Sequence, residues 1–181
     1  MRYVVSLLLV GALFGTGYSF AQVKSEVSEV TGVKRIESES MRSLHSNTYT
    51  GSHASFRAEY VNDPDEGTSW VLAFYGFAKE KTQVSATNQF RVTADGQQFE
   101  PNRLESKTRT VNNSLLEIKR AFFPRSAFQM IAEAQKVTIS IGSAQFMAIR
   151  PRRADLRMIL DRVPEQQGPQ TASNDSSDSR R

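Results

Sequence analysis

Residues 52–77 read SHASFRAEYVNDPDEGTSWVLAFYGF, and the fold class turns on this stretch. In its first part Ala54, Phe56, Ala58 and Tyr60 fall on one side and Ser55, Arg57 and Glu59 on the other. A period of two with one polar side is the pattern of a half-buried strand. Asn62-Asp63-Pro64-Asp65-Glu66-Gly67 is turn chemistry, because proline fixes φ and glycine reaches the left-handed region. From Trp70 to Phe77 the chain is apolar on both sides, which predicts a central strand covered on two faces. Residues 55–77 therefore read as an antiparallel hairpin with a six-residue connection.

The neighbouring sequence repeats the theme. Upstream, Val33, Arg35, Ile36, Ser38 and Ser40 alternate after Thr31-Gly32. Downstream, Phe90–Ala94 alternates and meets Asp95-Gly96, a dipeptide suited to a two-residue hairpin. Residues 98–111 return with weak alternation to Asn112-Asn113, and Leu115–Phe123 is a further strand. Pro124 breaks the pattern. Ser126 and Gln129 then have capping-box spacing and predict a helix of about ten residues. Val137–Gly142 and Ala144–Ile149 form a last strand pair around Gly142-Ser143. After Pro151, the spacing of Leu156, Ile159, Leu160 and Val163 predicts an amphipathic helix. The expectation is a mainly β (α+β) domain: an antiparallel sandwich or partly open barrel of 7–8 strands with two short helices.

The two ends differ from this body. Met1-Arg2-Tyr3, an apolar run to Phe14 and the small residues Ser19 and Ala21 compose a secretory signal, with cleavage expected between Ala21 and Gln22. The competing reading is a retained anchor, against which stand Gly11, Gly15, Gly17 and the hydroxyl residues within residues 3–21. The expected organisation is a signal at 1–21, a flexible lead-in at 22–30, one β-rich domain at 31–163 and a disordered polar tail at 164–181. After cleavage no transmembrane segment is expected, and the destination is periplasmic or extracellular.

Composition removes several chemistries. Among the 181 residues there is no cysteine, which excludes thiolate catalysis, Cys-based zinc sites and disulfide scaffolds. Nucleophile-elbow, phosphate-loop and metalloprotease motifs are absent. His45 and His53 lie in polar surroundings and read as exposed loop residues. Asn62, Asp63, Asp65 and Glu66 offer hard oxygens, but Pro64 interrupts them and calcium-loop spacing fails. Glu100, Glu105 and Glu117 read as outward-facing strand positions. No catalytic, metal or cofactor-binding residue is assigned, and no cofactor is expected.

The most distinctive cluster is basic. Arg150, Arg152, Arg153 and Arg157 gather at the start of the last predicted helix, and Arg152, Arg153 and Arg157 fall on the side away from its apolar stripe. They form a candidate anion-binding patch for an anionic envelope component or a protein partner. The plainer reading is a solvated face paired with Asp155 and Asp161. Removal of Arg2 lowers the formal net charge from +4 to +3, too weak a field to predict nucleic acid as a partner. Trp70, Phe74, Tyr75 and Phe77 read as core rather than as a ligand platform.

The order of Thr31-Gly32, Ala94-Asp95-Gly96, Ser126–Val137, Ile141-Gly142 and a closing amphipathic helix resembles a broad group of uncharacterised exported bacterial β-domains over residues 30–163. That resemblance implies fold and location, and no activity. The expected function is a non-catalytic exported β-domain, a binding or envelope-associated module. Two alternatives are a lipid or small-molecule carrier with an apolar cavity between sheets, and a small hydrolase.

Overall fold

The computed structural model describes residues 23–39, 41–149 and 153–163. Ala21, Gln22, Arg150, Arg152 and the 164–181 segment lie outside them. The described chain is mainly β, with two antiparallel sheets of seven and four strands and two helices, consistent with an open sandwich.

The decisive hairpin is its centre. Strands β4 (His53–Asp63) and β5 (Gly67–Ala78) pair without interruption from His53–Phe77 to Asp63–Gly67. The connection is therefore Pro64-Asp65-Glu66, three residues where six were expected. Asp63 tightens it, its Oδ1 accepting from the backbone N–H groups of Asp65 (2.9 Å) and Glu66 (3.3 Å). An Asx turn of this kind replaces ladder bonds and lets the strands continue into the turn.

Strand β9 (Ser114–Phe123) pairs with the other side of β5, and β8 (Arg103–Val111) with β9. Beside β4 lie β2 (Lys34–Ser38) and β3 (Arg42–Ser43), two pieces of one broken strand on the same edge. At the break, Ser38 Oγ accepts the Ala58 N–H at 3.3 Å in place of a ladder carbonyl. The stretch expected to be a flexible lead-in holds an edge strand, β1 (Val23–Val27), in register with β2. Edge pairing needs only backbone groups on one side, so its weak alternation gave no sign of it.

The second sheet has the order β11 (Ala144–Met147), β10 (Val137–Ile141), β6 (Phe90–Ala94), β7 (Gln97–Phe99). Residues 98–111 were read as one returning strand. Instead β7 ends at Phe99, and after Pro101 the chain crosses to the other sheet as β8. The described residues thus hold eleven strands where seven or eight were expected; β1, β3 and β7 are too short or too polar to declare themselves. Both predicted two-residue turns form: Asp95-Gly96 (φ 48° and 89°) and Asn112-Asn113 (φ 48° and 60°) take the positive φ values that match strand twist.

Helix α1 (Arg125–Glu133) begins earlier than the capping-box reading requires. Pro124 occupies the N-cap position, Ser126 lies inside the first turn, and no side-chain cap bond forms. Helix α2 (Ala154–Arg162) buries Leu156, Ile159 and Leu160 as predicted. It is pinned to β3 by Arg42, whose Nε and Nη2 donate to the two Asp155 oxygens at 2.9 and 2.8 Å. Asp155 is therefore a buried structural acid rather than a surface partner of the helix's own arginines.

The core lies between the sheets and under the helices. Phe74 packs on Phe146 with centroids 4.9 Å apart, Trp70 on Phe128 at 5.3 Å and on Tyr60 at 5.0 Å. Tyr49 lies across Gly76, where an added Cβ would stand 2.3 Å from the tyrosine oxygen; only glycine admits the ring there.

The α1–β10 connection is held by Asp95, whose carboxylate accepts the N–H groups of Gln135 (2.8 Å) and Lys136 (2.7 Å). Those two bonds, helped by the charge of Arg153, hold the carboxyl below the ordinary range. A depressed folded pKa means that the contribution is complete above about pH 4 and lost as pH falls through the folded value. Asp95→Asn keeps the turn but lacks the charge. The gap between the Tm of the native protein and of this variant is expected to shrink between about pH 5 and pH 2. A gap independent of pH would remove the carboxylate from the argument.

Candidate functional site

The outer face of the large sheet carries the most developed polar surface. Alternation sends Phe56, Leu72, Phe74 and Ala121 to the core, so the intervening residues share the opposite face. Register places Arg57, Ala73, Arg120 and Glu105 in one row across β4, β5, β9 and β8. The next row holds Glu37, Glu59, Val71, Phe122 and Arg103. Val71 and Ala73 have no exposed surface although they face away from the core. Central strand β5 is thus covered on both faces, as predicted, but the outer cover is a layer of long charged side chains. Arg103 lies 3.9 Å from the Phe122 ring centroid and Arg120 lies 5.1 Å from it.

These charges form a connected network. Arg120 bridges Glu59 (2.8 Å) and Glu105 (2.9 Å), and Arg103 reaches Glu105 at 3.5 Å and also Glu66. Burial lowers the Arg120 pKa, but the two carboxylates outweigh it and raise the value overall, so Arg120 is a fixed cation. Arg57 pairs with Glu37 at 3.1 Å and lies 5.9 Å from the Tyr75 ring centroid. Burial, reinforced by Glu59, holds the Tyr75 phenol above its ordinary pKa, so it stays protonated at neutral pH.

Two grooves run over this layer. One, of about 570 Å³, is lined from β2 to β8 and includes Arg35, Arg57, Tyr75 and Arg120. The other, of about 390 Å³, shares Arg35, Glu105 and Arg120 with the first and continues towards Val33 and Glu66. Two buried side-chain nitrogens among the described residues find no hydrogen-bond acceptor, Arg35 Nε and Arg57 Nε, and both belong to this groove wall. An orphaned buried donor is costly and calls for an explanation.

The chain matches no family model, no curated protein and no solved structure.

The sequence-derived candidates fare differently. Of the arginine patch, Arg150 and Arg152 lie outside the described residues, and Arg157 is partly exposed on α2. Arg153 is 1% exposed and cannot offer its guanidinium to an outside anion. It donates instead to the carbonyls of Ala148 (2.9 Å), Ile131 (2.9 Å), Ala134 (2.8 Å) and Gln135 (3.0 Å). The helix starts at Ala154, so Arg153 is its N-cap residue rather than part of a helical face. Of the acids in the 62–67 turn, Asp63 is committed to backbone N–H groups and Glu66 to Arg103. Among the aromatics, Trp70 and Phe74 are core, whereas Tyr75 lines the outer groove.

Glu117 reverses its expected orientation. It is 1% exposed and accepts from Thr82 N (2.9 Å), Thr82 Oγ1 (2.7 Å) and the Tyr49 hydroxyl (3.1 Å). Lys119, two residues on, is equally buried and donates to Ser106 Oγ at 2.8 Å and to the Thr87 carbonyl. Burial lowers its pKa, partly opposed by the charge of Glu117. This polar cluster closes one end of the sandwich.

His45 and His53 line one surface groove of about 440 Å³ with Ser46, Ser52 and Tyr49. Ser52 Oγ donates to the Phe77 carbonyl at 3.0 Å, and Ser46 Oγ accepts the N–H groups of Thr48 and Tyr49. Both hydroxyls are engaged in shaping the loop.

Proposed function

We propose that this chain is a non-catalytic binding domain that works outside the cytoplasm, with the outer face of its large sheet as the binding surface. The observation that carries the reading is the groove itself, spanning strands β2 to β8 and walled by Arg35, Arg57, Arg109 and Arg120. The signal pattern at residues 1–21 supports export, and with it a ligand in the envelope or beyond. A carrier with an apolar interior is disfavoured because Phe56, Phe74, Phe128 and Phe146 fill the space between the layers. The hydrolase reading keeps one specific observation, the shared groove of His45, His53 and two serines.

Amide NMR of the protein with a panel of small probes tests the proposal. The panel holds an acidic and a neutral oligosaccharide, an acidic peptide, inorganic phosphate and a phospholipid headgroup. Shifts confined to β2, β4, β9 and β8 are the expected outcome. Shifts centred on His45 and His53, with ester turnover abolished by His45→Ala, would replace binding by hydrolysis.

A further inference from the structure

The groove's charges are not equally satisfied. Arg57 has Glu37, Arg103 has Glu66 and Glu105, and Arg120 has Glu59 and Glu105. Arg35 sits where the two lobes meet; Glu26, opposite it in the β1–β2 register, pairs with Lys24, and Arg35, like Lys107 and Arg109 of the larger lobe, has no ion pair among the described residues. Its Nε has neither an acceptor nor exposed surface. That enclosed Nε is out of a ligand's reach; what a ligand can complete is the terminal nitrogens of an arginine without an acidic partner, and a carboxylate, phosphate or sulfate does so best.

The surrounding carboxylates narrow the choice. Glu37, Glu59 and Glu105 line the larger lobe and Glu26, Glu66 and Glu105 the smaller. Closely spaced phosphates or sulfates would bring successive negative charges against them. A ligand with an isolated carboxylate among hydroxyls avoids that repulsion. Its hydroxyls donate to carboxylate oxygens that the arginines leave over, and the protonated Tyr75 phenol adds a neutral polar partner. Lobes of about 390 and 570 Å³ lie within the small-ligand range of about 300–1,000 Å³. We propose that the groove binds a carboxylated saccharide, with a sugar carboxylate taken by Arg35 at the junction of the lobes. This rests on the outer face being the binding surface.

The test titrates the protein with a hyaluronate tetrasaccharide and with tri-galacturonate, beside maltotriose and inorganic phosphate, and follows amide shifts. Saturable binding of at least one acidic sugar, with shifts on β2 and β4, is expected, and Arg35→Gln should weaken it at least tenfold. Arg35→Lys should recover part of that loss, since it restores charge without the fork. A merely structural Arg35 would lower Tm when replaced; here Arg35→Gln should leave Tm unchanged or raise it, because an orphaned buried donor disappears. Equal affinity of Arg35→Gln and the native protein would overturn the assignment. Shifts on the outer face from phosphate or maltotriose, with none from either acidic sugar, would overturn the acidic saccharide and leave the binding surface standing. No outer-face shift from any probe would remove both.

Discussion

Arg153→Leu is expected to destabilise the protein by about 3–5 kcal/mol, measured as a lowered urea midpoint at unchanged m. The native guanidinium donates to four carbonyls, two of which, from Ile131 and Ala134, belong to the end of α1. The last carbonyls of a helix have no partners within it, and the negative end of the helix dipole favours a cation there. Leucine is apolar and smaller, and would leave those oxygens without donors. Arg153→Lys should recover only a minor part, because one ammonium cannot span carbonyls from Ile131, Ala134, Gln135 and Ala148. A loss below about 1 kcal/mol for leucine would show that the carbonyls find other donors.

Glu117→Ala should cost a comparable amount, about 3–5 kcal/mol. The carboxylate accepts three donors, and its removal strands the Thr82 N–H, the Thr82 hydroxyl and the Tyr49 hydroxyl together. It also takes from Lys119 the charge that offsets burial, so the lysine pKa should fall further from its ordinary value. Burial chiefly, and then Glu117, raise the Tyr49 phenol above its usual pKa. Glu117→Gln keeps the shape and an acceptor, so its stability loss should be about half or less. Its Tyr49 should ionise at lower pH than in the native protein, read by ultraviolet titration. An unchanged tyrosine titration in Glu117→Gln would mean that the carboxylate charge does not act on the phenol.

Legibility varied with the kind of interaction involved. The hairpin of β4 and β5, the two positive-φ turns and the buried stripe of α2 were readable because each rests on local periodicity or turn chemistry. Glu117 was expected to face outward, and the burial of Lys119 gave no sign, because β9 alternates across its length while its inner face passes from aromatic core at Phe123 to a polar end. Nothing local distinguishes those two positions from a solvated strand. The same holds for Arg153: three of its four acceptors come from residues 131–135, brought there by folding. The outer groove could have been suspected from Arg35, Glu37, Arg57, Glu59, Glu105 and Arg120, all at alternate positions of strands. Their sequence separation hid the fact that register aligns them.

By itself the sequence determined the class of fold and the position of its central hairpin, since side-chain alternation and proline or glycine punctuation act over a few residues. It also ruled out the chemistries that cysteine would supply. Tertiary structure alone decided which arginines are buried and which line the outer groove. An arginine that finds four carbonyls is drawn inside, while Arg35, whose cross-strand neighbour Glu26 pairs with Lys24, is left on a groove wall. That difference depends on distances between strands and helices far apart in the chain, which no local pattern encodes.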